Sequence, residues 1–118
     1  MGDHVFWIVQ AAIKPGELDN FKALVNEMVD ATRANEPGAL NYEYFVSADG
    51  KQCHIYERYA DSAAAMTHMG NFQAFAERFM AALEITGMTF YGNPSDELRA
   101  VADGFGAVYM APLVGFAR

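Results

Sequence analysis

The chain has 118 residues, enough for one domain with a core of its own. Its formal net charge of −7 argues against nucleic acid and against an anionic membrane surface as partners, since both attract basic proteins. The one cysteine, Cys53, excludes an internal disulfide and a multi-cysteine metal site, and no apolar run is long enough for a membrane span or a signal-peptide core, so a cytoplasmic protein is expected.

His4 to Ile13 reads as a strand. Val5, Trp7, Val9, Ala11 and Ile13 share one face; His4, Phe6, Ile8, Gln10 and Ala12 share the other. Both faces are largely apolar, so both are expected to be buried. A domain this small has helices for only one face of its sheet, and the second face is expected to meet another copy in a homodimer. Pro15-Gly16 breaks the strand. From Glu17 the spacing becomes helical, with Leu18, Phe21, Leu24, Val25, Met28 and Val29 on one stripe, until about Asn35 ahead of Pro37-Gly38.

Ala39 to Ser47 and Gln52 to Tyr59 are rich in aromatic and β-branched residues and flank Asp49-Gly50, which favours a tight turn. On the first of these strands Leu40, Tyr42, Tyr44 and Val46 share a face. On the second, Cys53, Ile55, Glu57 and Tyr59 lie opposite His54, Tyr56 and Arg58. Asp61 is a good N-cap for a short helix reaching about Met69, with Gly70 expected to end it and Asn71 to cap the next. Phe72, Phe75, Phe79 and Leu83 then recur at helical spacing, and Met88 to Tyr91 is a fourth strand. Asn93 is expected to cap a last helix with Pro94 in its first turn, Gly104 to close it, and the apolar tail Ala107 to Phe116 to pack on its own subunit or across to a partner. The β-α-β-β-α-β order is the ferredoxin-like α+β pattern, with residues 1–92 as the core and 93–118 as a C-terminal extension of the same domain.

Lys14-Pro15-Gly16-Glu17, the run P-G-A-L-N-Y-E-Y from Pro37, I-Y-E-R-Y from Ile55, and His68 three residues before Asn71-Phe72 resemble the antibiotic biosynthesis monooxygenase superfamily. The resemblance covers about the first three-quarters of the chain and implies a dimeric α+β barrel made of two face-to-face sheets. It also implies oxygen chemistry without a cofactor on a phenolic, quinol or polyketide-like aromatic. An electron-rich phenolate can reduce triplet dioxygen by one electron, so the substrate itself replaces flavin or metal. His68 matches a histidine of many members and would serve as proton acceptor. Many relatives carry a second histidine where this chain has Asn71.

Read from the residues, His68 is a base in a cleft or a helix-end histidine hydrogen-bonded to the last carbonyls. Arg58 or Asn71 would donate to an oxyanion, against an ion pair of Arg58 with a glutamate and a capping role for Asn71. Trp7, Tyr42, Tyr44, Tyr56 and Phe72 would line a pocket for a flat ring, or simply pack, and His54 would join Arg58 on its face. His4, His54 and His68 have no metal-ligand spacing, so no metal is expected, and the resemblance implies no cofactor. The alternatives to an oxygenase are a dimeric ligand-binding module and an isomerase or cyclase using only the proton-transfer half of the chemistry.

Overall fold

In the computed structural model, which describes residues 3–118, the alternating N-terminal run becomes β1, Val5–Ile13. The other strands are β2, Ala39–Val46, β3, Gln52–Tyr59, β4, Leu83–Gly92, and β5, Val108–Met110. The helices are α1, Leu18–Asn35, α2, Ser62–Phe72, α3, Ala76–Ala82, and α4, Asp96–Asp103. The five strands form one sheet in the order β2-β3-β1-β4-β5, antiparallel except for the parallel β4–β5 edge. This is the expected ferredoxin-like α+β architecture with one strand added.

Trp7 and its alternate neighbours supply the centre of the core. Val5, Trp7, Val9, Ala11 and Ile13 are all buried, against Phe21, Leu24 and Met28 of α1 and Phe79 of α3. Each fully buried side chain of this size stabilises the fold by roughly 1.5–3 kcal/mol over an exposed one. The Trp7 ring is sandwiched between Tyr59 (4.8 Å) and Phe90 (4.6 Å), so three strands interlock through one aromatic stack.

All this lies on the helix-covered face. The opposite face carries Phe6, Ile8, Phe45, His54, Tyr56 and Tyr91 with no helix over it: Phe6 stacks on Tyr91 at 5.0 Å, and Phe45 is 55% exposed.

Several expected boundaries move. Helix α2 runs through Gly70 and Asn71, and α3 starts after Phe75, so Gly70 is no terminator and Asn71 no cap. Pairing with β1 recruits Leu83 to the start of a ten-residue β4 rather than to a helix. Ser95, not Asn93, caps α4, its hydroxyl accepting from the Leu98 N–H at 3.2 Å. A register shift between Ala39 and Asn41 takes Leu40 off its expected face and leaves it 47% exposed. The tail divides: Ala107 and Tyr109 pack on their own subunit, with β5 paired to β4 and Tyr109 5.8 Å from Phe90, whereas Leu113 and Val114 are 96% and 93% exposed.

Candidate active site

The site is assembled where α1 ends. Proline disfavours helical backbone in the residue before it, and Glu36, preceding Pro37, leaves the helix at φ −128°, ψ 80° while its N–H still reaches the Thr32 carbonyl. The turn aims the Glu36 side chain at α2 and buries it to 6% exposure. A carboxylate at a helix C-terminus is unfavourably placed against the helix dipole, so it needs donors. It has two: His68 Nδ1 meets Oε1 at 3.0 Å, and Asn71 Nδ2 donates to Oε2 at 3.2 Å. Residues 68 and 71 are one turn apart on α2, so both reach the same carboxylate. The close approach of Gly38 to Ala64, whose Cβ lies 2.6 Å from where a Gly38 Cβ would sit, holds α2 against the start of β2.

The other ring nitrogen, His68 Nε2, faces Glu57 Oε1 at 3.3 Å. The same oxygen accepts from the Tyr59 hydroxyl at 2.8 Å. Glu57 is on the buried alternate of β3, between Ile55 and Tyr59. The result is a carboxylate–imidazole–carboxylate array in which Glu36 is hydrogen-bonded to one ring nitrogen, Glu57 lies 3.3 Å from the other, and the histidine is 5% exposed. Burial pulls the His68 pKa down, but hydrogen bonds and charge from Glu57 and Glu36 outweigh it and raise it above the ordinary value. Burial, helped by the Glu57 charge, pushes the Tyr42 and Tyr59 hydroxyls up, so both stay protonated.

Two cavities meet at His68. An inner one of about 430 Å³, partly open to solvent, lies between sheet and helices and is lined by Trp7, Tyr44, Glu57, Met69, Met88 and Phe105, among others. An outer one of about 590 Å³, also partly open, is lined by Thr32, Asn35, Glu36, Asn71, Phe75 and others. His68, Tyr42 and Phe72 line both, so the imidazole is part of the partition. The Tyr42 ring stands edge-on to His68 at 5.0 Å, and its hydroxyl shares a 2.7 Å hydrogen bond with Tyr44. Whichever hydroxyl donates, the other keeps its own hydrogen for a ligand oxygen.

His68, Asn71, Trp7, Tyr42, Tyr44 and Phe72 are therefore brought together. Arg58, His54 and Tyr56 are not. Strand alternation that turns Glu57 inward turns these three to the uncovered face, and Arg58 is engaged there with His4, its Nε 3.1 Å from the His4 Nδ1. Arg58 cannot serve as oxyanion donor at His68, and His54 and Tyr56 do not line its cavities. Asn71 orients Glu36. His68 does not bond its helix carbonyls. Glu36, Glu57 and Tyr59 were missed as site residues, although two signals were legible: a glutamate just before a helix-ending proline, and a single charge on the otherwise apolar alternate of β3. Phe105, from the turn after α4, left no such signal. Among the described residues no group of three His, Cys, Asp or Glu side chains is arranged to hold a metal, and no helix is long and apolar enough to cross a membrane.

The model of the antibiotic biosynthesis monooxygenase family matches residues 5–78. The chain belongs to that family. Residues 5–78 include Trp7, Glu36, Glu57, His68 and Asn71, so the family's domain holds the whole proton array, while Phe105 comes from outside it. Among solved structures, MupZ from Pseudomonas fluorescens is similar over 98% of this chain and 95% of its own, at 22% identity and a TM-score of 0.88. Coverage that complete takes in the C-terminal extension. Rv0793 from Mycobacterium tuberculosis matches 79% of this chain and 97% of its own, at 24% identity and a TM-score of 0.66. A conserved protein from Methanosarcina mazei Go1 matches 78% and 94%, at 15% identity and a TM-score of 0.69. At these identities the likeness is one of fold. No curated protein matches the sequence.

Proposed function

We propose that this family member is a cofactor-independent monooxygenase acting on a phenolic, quinol or polyketide-like aromatic, and that it works as a homodimer through its uncovered sheet face. The observation that carries the reading is His68, buried between Glu36 and Glu57 in the wall of an aromatic-lined cavity. Glu57 uses Oε1 for both its Tyr59 hydrogen bond and its His68 contact, and every buried side-chain polar atom among the described residues has a partner, so its Oε2 is an atom that solvent or a ligand can reach. Oε2 is the acceptor for the substrate hydroxyl proton. The imidazolium behind Glu57 and the free hydroxyl hydrogen of the Tyr42–Tyr44 pair then favour the phenolate.

The phenolate gives one electron to dioxygen, and the resulting superoxide and phenoxyl radical combine to form a carbon–oxygen bond. For a substrate with an activated ring CH2, the peroxide O–O bond then breaks. One oxygen stays as a carbonyl and the other leaves as water with the two hydrogens of the CH2, so the carbon is oxidised and dioxygen reduced. The apolar walls keep bulk water from the radical pair. The same array suffices for proton transfer alone, which supports an isomerase or cyclase as the second reading.

Oxygen uptake by the purified, metal-free protein with a panel of hydroquinones and polycyclic phenols, beside His68→Ala, is the test. Uptake above the uncatalysed rate and lost in the variant is expected. Turnover of the same compounds without oxygen uptake would replace the monooxygenase by the isomerase or cyclase. Binding without turnover would leave a ligand-binding module.

A further inference from the structure

The two nitrogens of His68 face different compartments. Nε2 points to Glu57, which lines the apolar inner cavity, and Nδ1 points to Glu36, which lines the more polar outer one. The mouths differ as well. Exposed Asn35 and Asn71 edge the outer cavity, whereas the inner cavity reaches the surface beside Phe105 and Ile85. We infer that Glu36 is the proton port of His68: protons pass between the imidazole and solvent through Nδ1, Glu36 and the outer cavity, separately from the route by which an aromatic ligand enters.

The step balances simply. The Nδ1–H bond of the imidazolium breaks and an O–H bond forms on Glu36 Oε1, leaving neutral imidazole and a neutral carboxyl. The carboxyl then hands its proton to water in the outer cavity and becomes a carboxylate again. The reverse sequence reloads the ring. Asn71 Nδ2 on the other Glu36 oxygen keeps the carboxylate turned to the ring, so Asn71 is a positioning residue. Tyr59 cannot carry the traffic: its hydroxyl is buried at 0% exposure and bonded to Glu57. Tyr42 also touches both cavities, but its hydroxyl is raised well above the ordinary value by burial and is bonded to Tyr44. A separate port lets an apolar cavity exchange protons without admitting bulk water to the reacting ring. The inference rests on the Glu57–His68–Glu36 array carrying the acid–base chemistry of the proposed function, but its test needs no substrate.

The experiment is nitrogen-15 NMR of the His68 ring N–H signals in the full chain, with solvent-exchange rates for wild type, Glu36→Gln, Glu57→Gln and Phe105→Ala. Glu36→Gln keeps an acceptor for Nδ1 but cannot take its proton, so exchange is expected to slow about tenfold or more, a small part of the usual worth of a positioned acid or base. Glu57→Gln leaves the port in place and removes the carboxylate that helps hold the imidazolium proton, so it is expected not to slow Nδ1–H exchange. Unchanged exchange in Glu36→Gln, or slowing confined to Glu57→Gln, overturns the port. Phe105→Ala tests it if the buried variants do not fold, because Phe105 is 38% exposed at the inner mouth. Widening that mouth is expected to leave exchange unchanged, and acceleration there would show that protons enter with the ligand. A true port with no oxygen uptake would remove the monooxygenase reading and leave this one standing.

Discussion

Replacing Glu57 by Gln isolates the electrostatic part of the array. The substitution keeps size and one acceptor for Tyr59 but removes the charge next to a buried His68. Removing one partner of a buried charged pair outright costs about 3–5 kcal/mol, and an unsatisfied buried donor about 1–3 kcal/mol. Gln retains a carbonyl for Tyr59, so a loss of about 2–3 kcal/mol is expected. The pH dependence is the sharper readout. The folded-state pKa of His68 is raised, so the protein holds the proton more tightly folded than unfolded. Its stabilising contribution is complete below about pH 6.5, the unfolded value, and is lost as pH rises through the raised folded value. In Glu57→Gln only Glu36 opposes burial, so this fall with pH shrinks or reverses. His4, whose pKa is lowered by burial and by Arg58, contributes with the opposite sign, but equally in both proteins, and cancels in the difference. Urea unfolding from about pH 5.5 to about pH 8.5 measures the difference. An identical pH slope in wild type and Glu57→Gln would refute the coupling. So would a slope change that persists when His68 is also replaced by Gln.

Trp7→Ala removes the middle ring of the Tyr59–Trp7–Phe90 stack and is expected to cost about 3–5 kcal/mol by chemical unfolding. Gly38→Ala would place a Cβ 2.6 Å from that of Ala64, pushing α2 off β2; the loosened Glu36–His68 contact should appear as slower Nδ1–H exchange and a stability loss of about 1–3 kcal/mol. Ile8→Asp, on the uncovered sheet face, is expected to convert a dimer into a monomer in sedimentation equilibrium while the fold, followed by circular dichroism, persists. Cys53 is fully buried, and burial pushes its thiol up to about 11, so reaction with a disulfide reagent at neutral pH should wait for unfolding; rapid reaction of the folded protein would contradict its placement.

The elements were legible because their signals are local. The alternation of β1, the stripe Phe21-Leu24-Met28, the Asp49-Gly50 turn and the Asp61 cap each depend on neighbours a few residues away, and all appear where they were read. Errors fell where tertiary pairing overrode local preference: Leu83 was drawn into β4 by β1, and Gly70 stayed helical without a terminator's backbone.

The site divides on the same line. The sequence by itself determined that His68 stands on a short helix, that Tyr42 and Tyr44 share a face, and that Glu57 and Arg58 point in opposite directions, since periodicity alone dictates each. Only the tertiary structure decided which of those directions is the inside. It also decided that Glu36, 32 residues before His68, is the histidine's partner. A buried charge must find its counterpart across space, and strand alternation says that two residues are on opposite faces without saying which face the helices will cover.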